Sequence, residues 1–113
     1  MAITLCHQND IPEEESRGFE LPQINLMAIR KRGIIYLYLN RCPHLGIPLD
    51  WEPHRFLDNE GQYIRCMNHG ALFTIDEGEC ILGPCAGQSL MSVEYQLEDG
   101  NIIIPQEALP AVR

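Results

Sequence analysis

The sequence has little of what several function classes require. Eight Lys and Arg stand against 16 Asp and Glu, a formal net charge of -8. Nucleic-acid binding draws on a basic face, so this balance excludes nucleic acid as a partner. No apolar run approaches the roughly 18 residues a membrane-spanning helix needs, which argues against a membrane role. The opening MAITLCHQND has neither the basic stretch nor the apolar run of an export signal, and no twin arginine. The expected location is therefore the cytoplasm, unanchored, where reducing conditions argue against structural disulfides. Five cysteines cannot all pair within one chain. No segment reads as a convincing helix, and no repeat or low-complexity tract is present.

What is there reads as short strands. A length of 113 residues fits one domain, taken as 1–113. Residues 9–22 (NDIPEEESRGFELP) are polar, contain two prolines and are expected to form a surface loop or irregular arm. Residues 25–30 (NLMAIR) and 34–39 (IIYLYL) flank Lys31-Arg32-Gly33 and read as a hairpin. Residues 51–61 read as a loop or short hairpin. Residues 62–65 and 71–75 read as strands, with a turn at Glu77-Gly78-Glu79 and a break at Gly83-Pro84. Residues 90–97 (LMSVEYQL) and 101–104 (NIII) flank Asp99-Gly100, a strong hairpin signal. Val93, Tyr95 and Leu97 alternate with polar neighbours, so this strand is expected to bury one face. The fold class that follows is all-β, an antiparallel sandwich or barrel.

Two motifs carry chemistry. Cys42-Pro43-His44-Leu45-Gly46 and Cys66-Met67-Asn68-His69-Gly70 each offer one thiolate and one imidazole, with a glycine that lets the backbone turn tightly. Each follows a predicted strand, which puts both on loops at one end of a β scaffold. In a cytosolic protein, Cys beside His points to metal. Two Cys and two His can close a tetrahedral zinc site, making a structural zinc module one alternative. Zinc modules usually group Cys with Cys and His with His, whereas here the pairs are mixed.

The pattern C-x-H-x-G followed by C-x-x-H-G resembles the ligand motifs of Rieske-type iron–sulfur proteins, and in particular the stand-alone Rieske ferredoxins of bacterial multicomponent, ring-hydroxylating oxygenases. The resemblance runs from about residue 25 to 104. It includes Gly83-Pro84, which looks like the loop that covers the family's cluster. It implies one 2Fe–2S cluster held by Cys42, His44, Cys66 and His69, the two Cys on one iron and the two His on the other. It also implies a cluster-binding subdomain of two loops plus the Gly-Pro loop, at about 40–86. The segment between His44 and Cys66 is several residues longer than is usual in the family, and the extra length is placed in residues 51–61.

The function this resemblance implies is a one-electron carrier and not an enzyme. Electrons would pass from a reductase, whose basic face would suit the acidic carrier, to a terminal oxygenase or similar protein. Alternatives are the small subunit of an assimilatory nitrite reductase or of another redox complex, and a redox or cluster-status sensor. A self-contained oxygenase would need a second iron site, yet only His7 and His54 remain. Docking is expected on a tip at residues 42–47, 69–72 and 83–84. Pro43, Leu45, Ala71 and Pro84 would form an apolar collar there, with Asp50 and Glu52 around it. Trp51 is expected to pack beneath the first loop. Cys6, Cys80 and Cys85 read as thiols without a ligand role, and Glu13-Glu14-Glu15 as a solvated run.

Replacing two thiolates by neutral imidazoles makes the centre easier to reduce, and potentials in the family run from roughly -150 to +300 mV. High-potential respiratory members have C-T-H-L-G-C and C-P-C-H-G-S motifs, with a loop-tying disulfide and Ser and Tyr hydroxyls donating to cluster sulfurs. The matching positions here are Ile47 and Asn68 for the disulfide, and Ala71 and Phe73 for the hydroxyls. Fewer donors stabilise the reduced state less, so the expected potential lies at the low end of that range. Redox titration at neutral pH checks this, and a midpoint well above zero contradicts it.

Overall fold

The computed structural model describes residues 2–21, 24–41, 56–58, 61–66, 71–83 and 86–108. They form β1 (Ala2–His7), β2 (Ser16–Glu20), β3 (Asn25–Lys31), β4 (Ile34–Leu39), β5 (Tyr63–Arg65), β6 (Leu72–Thr74), β7 (Cys80–Leu82), β8 (Gln96–Glu98) and β9 (Asn101–Pro105). The helical segments among them are two short 3₁₀ turns, Gln8–Asp10 and Gln106–Ala108. Three antiparallel three-stranded sheets result, with strand orders β1-β9-β8, β2-β3-β4 and β5-β6-β7. The all-β expectation holds.

The β2-β3-β4 sheet is the middle layer. Leu26, Ala28, Ile35 and Leu37 pack with Val93, Ile102 and Ile104 of the β1-β9-β8 side. Met27, Ile29 and Tyr38 turn the other way and pack with Ile64, Cys66, Phe73, Ile75 and Cys80 of the β5-β6-β7 side. Successive strand side chains point to opposite faces, so a strand covered on both sides needs a continuous apolar run. LMAI in β3 is such a run, and all four residues are fully buried. Burying each large side chain contributes about 1.5–3 kcal/mol.

The β3–β4 turn has Arg32 and Gly33 both at positive φ, 55° and 76°, the geometry of a tight two-residue hairpin. Asp99 and Gly100 repeat it between β8 and β9, at 55° and 82°. Both turns fall where the sequence places them.

Three sequence expectations are corrected. Residues 9–22 are not simply an irregular arm, because Ser16–Glu20 pairs antiparallel with Asn25 to Ile29 of β3. An edge strand is held by backbone bonds and exposes polar side chains, so SRGFE lacks the apolar pattern of a strand. Residues 90–97 are not one strand. Residues 91–93 run along β4, with Leu39 N–H donating to the Met91 carbonyl at 2.8 Å and Val93 N–H to the Leu37 carbonyl at 2.9 Å. The chain then crosses to β9, where β8 begins at Gln96. Leu97, expected to face inward with Val93, is 49% exposed. Finally, Cys80–Leu82 forms β7, which the sequence reading missed. It is three residues long and pairs with β6 through an irregular register.

The acidic run has a structural role. The Glu13 carboxylate accepts from the backbone N–H groups of Arg32 and Gly33, the latter at 2.8 Å, and so braces the β3–β4 turn. Glu14 pairs with Lys31 at 2.9 Å. The Arg30 side chain donates to the Gln8 and Ile11 carbonyls. The N–H groups bonded to Glu13, that of Gly33 foremost, hold its carboxyl below the ordinary glutamate range. Such a group adds stability above its unfolded-state pKa and loses it as pH falls through the folded-state value. Glu13→Gln is therefore expected to lower Tm at neutral pH, with the gap to wild type closing in acid; paired melting curves across pH check this.

Candidate metal centre

The two motifs meet the fold at the ends of β4 and β5. β4 ends at Leu39, three residues before Cys42. Asn40 is still tied to β3, its N–H donating to the Asn25 carbonyl at 2.9 Å. Cys42, His44 and His69 lie outside the described residues, as do Pro43, Leu45, Asp50, Glu52, Trp51, His54, Pro84 and Cys85.

Cys66 is described, and its position is specific. It follows β5 directly and is fully buried among Ile64, Phe73 and Tyr38. Its N–H donates to the Ala71 carbonyl at 2.8 Å. Residues 67–70, which include His69, therefore span two backbone positions held together by a hydrogen bond. β6 starts at Leu72 on the far side.

The Gly-Pro segment reaches the same place. Gly83 has φ +111°, and a Cβ built on it would lie 2.8 Å from the Ala71 Cβ and 2.9 Å from the Ala71 Cα. Only glycine permits both that conformation and that approach. Ala86 N–H donates to the Gly83 carbonyl at 3.1 Å. The end of β5, the start of β6 and the end of β7 thus converge within van der Waals contact. Sequence reasoning singled out Gly83 as a break; its packing on Ala71 is a tertiary fact.

Ala71 is 1% exposed and cannot belong to an exposed collar. The small side chain is needed beneath Gly83 instead. The apolar surface beside that glycine comes from Ile81, 46% exposed, and Leu82, 57% exposed. Phe73, where the high-potential members carry Tyr, is fully buried and brings no hydroxyl.

The remaining candidates fall elsewhere. His7 caps the first 3₁₀ turn, its Nδ1 accepting from the Asn9 N–H at 3.1 Å. Cys6 sits half-buried in β1. Burial, and then the Asp10 carboxylate, push its thiol up against a smaller opposing pull from Arg17. The buried Cys80 thiol donates to the Leu82 carbonyl at 3.4 Å. Among the described residues no group of three or more His, Cys, Asp or Glu side chains gathers in a way that could hold a metal ion.

The chain belongs to the Rieske [2Fe-2S] domain family, which residues 1–105 match. The cofactor of that family is one 2Fe–2S cluster. The residues present fit it: a buried thiol at a strand end, its N–H bonded to the Ala71 carbonyl, and a glycine packed on Ala71 where a larger residue would not fit. Two relatives give scale. The chain is 28% identical over 108 residues to the ferredoxin component of the alkene monooxygenase system of Xanthobacter autotrophicus, covering 96% of this chain and 84% of that protein. It is 30% identical over 76 residues to apoptosis-inducing factor 3 of Mus musculus, covering 67% of this chain but spanning only 12% of that protein's length. Among solved structures, a complex of reduced oxygenase and oxidized ferredoxin in carbazole 1,9a-dioxygenase contains a chain that superposes with TM-score 0.73 at 22% identity, covering 91% of each. At that identity the match speaks to the fold.

Gly83→Ala is expected to cost on the order of 2–4 kcal/mol, from backbone strain and overpacking against Ala71 together. It should also lower iron retention during purification. Thermal melts with iron analysis check both.

Proposed function

We propose that this protein is a Rieske ferredoxin, a one-electron carrier that accepts electrons from a reductase and passes them to a terminal oxygenase or similar enzyme. Cys42 and Cys66 would hold one iron, His44 and His69 the other, in a subdomain spanning about 40–86 of the single domain 1–113. The observation that carries the reading is the placement of Cys66: buried in the core at the end of β5, its N–H bonded to the carbonyl of Ala71, on which Gly83 packs. Similarity over nearly the full length of a ferredoxin component supports the carrier role.

The chemistry the cluster supplies is reversible uptake of one electron at mixed sulfur and nitrogen ligation. The chain's own part is to hold the ligands rigidly and exclude water on the core side. Met27, Tyr38, Ile64 and Phe73 do so around Cys66. Ile81 and Leu82, exposed beside Gly83, would add apolar contact at the docking tip. The net charge of -8 favours a reductase with a basic face, with long-range attraction raising the encounter rate. No helix among the described residues is long and apolar enough to cross a membrane, which suits a carrier working in the cytoplasm. His7 is engaged as a cap through Nδ1, which argues against a second, catalytic iron site in this chain.

Protein isolated anaerobically is expected to contain iron and acid-labile sulfide in equal amounts and no zinc. Its reduced form should give an EPR spectrum of mixed imidazole–thiolate ligation, lost in Cys66→Ser. Colourless or zinc-loaded protein refutes the ligand assignment. Reduced, cluster-containing protein that passes electrons to no oxygenase or flavoprotein of its host refutes the carrier role.

A further inference from the structure

The β4 strand, which leads into the first ligand motif, and the β5-β6-β7 sheet, which carries Cys66, are far apart in sequence. A buried contact joins them. Tyr38, on β4 and four residues before Cys42, is 2% exposed. Its hydroxyl donates to the Ile75 carbonyl, one residue past β6, at 2.6 Å. The ring also fills the space beside Gly78, where a Cβ would lie 2.8 Å from Tyr38 Cε1. On its other side β4 is held by the 90–93 segment, through the Tyr38–Ser92 bridge and the bond from Leu39 N–H to the Met91 carbonyl. Leu90 N–H in turn donates to the Gly78 carbonyl at 2.8 Å, closing the ring of contacts around the phenol.

We infer that Tyr38 is a positioning residue for the cluster: it fixes the strand leading to Cys42 against the sheet carrying Cys66. The inference rests on the proposed role of Cys42 and Cys66 as ligands. Two thiolates from separate segments must meet at one iron. A shift between β4 and β6 would be felt directly as a change in ligand geometry. Nothing else on β4 reaches the β6–β7 connection through a side-chain hydrogen bond among the bonds described. Burial first, and then the Asp76 carboxylate, hold the phenol above its ordinary range, so the hydroxyl remains a donor at all working pH values.

The molecule contains a matched control. Tyr95 makes the same kind of bond to the same strand: its hydroxyl donates to the Ile35 carbonyl at 2.6 Å. It does so in the other core cluster, away from Cys66. A merely structural role predicts that Tyr38→Phe and Tyr95→Phe behave alike.

The experiment compares both variants with wild type as cluster-loaded protein. It measures melting, iron release to a chelator, and the EPR spectrum of the reduced state. Both variants should melt lower. Only Tyr38→Phe should release iron faster, by roughly three- to tenfold, the effect of losing one buried hydrogen bond on a local opening equilibrium. It alone should also shift or broaden the g values. Gly78→Ala, which crowds the ring from the opposite side, should reproduce the spectral change and serves if Tyr38→Phe does not fold. Equal release rates and unchanged spectra in Tyr38→Phe and Tyr95→Phe overturn the inference while leaving the ligand assignment intact. A wild-type protein without iron and sulfide overturns the assignment itself, and the inference with it.

Discussion

Burial of the β3–β4 hairpin on both faces is the constraint from which the rest follows. One face, through Leu26, Ala28, Ile35 and Leu37, makes the core shared with β9 and Val93. The other, through Met27, Ile29 and Tyr38, makes the core shared with β5, β6 and β7. Each outer sheet turns an apolar face that needs cover. The middle sheet provides that cover to both. It thereby sets the outer sheets on its two opposite faces, with Cys66 rooted in the second core.

The proposed role of electron carrier would benefit from this arrangement. Transfer is efficient when the metal's surroundings change little between oxidation states, which calls for ligands held by packed, dry structure on one side and solvent or partner on the other. Cys66 has that packed side. The Ala71 carbonyl accepts from the Cys66 N–H, and Gly83 packs on Ala71 too closely for an extra methyl group, so three chain segments meet there. Interiors packed to that density respond to small changes by shifting as units.

The acidic run has a local structural use. Glu13 and Glu14 brace the β3–β4 turn and its flanking Lys31. A run of like charges that looks purely solvated along the chain becomes a turn clamp once Arg32 and Gly33 present their backbone N–H groups to it.

The candidate donors, both tight turns and the all-β character are read from local chemistry. Cys and His at fixed spacing, Arg-Gly and Asp-Gly at positive φ, and apolar runs in β3 and β4 act through neighbours in the chain, so they are legible without the fold. The features that needed tertiary structure are those in which a residue's partner is remote. Edge strand β2 is placed by its backbone pairing with β3, which its own largely polar sequence does not signal. Residues 90–98 are divided between two sheets because β4 and β9 compete for them. Ala71 is buried, and not part of a collar, because Gly83 arrives from a separate strand. Tyr38 looked like one more apolar strand residue until Ile75 was placed beside its hydroxyl. Sequence states which groups are present and what each can do; only packing decides which of them meet.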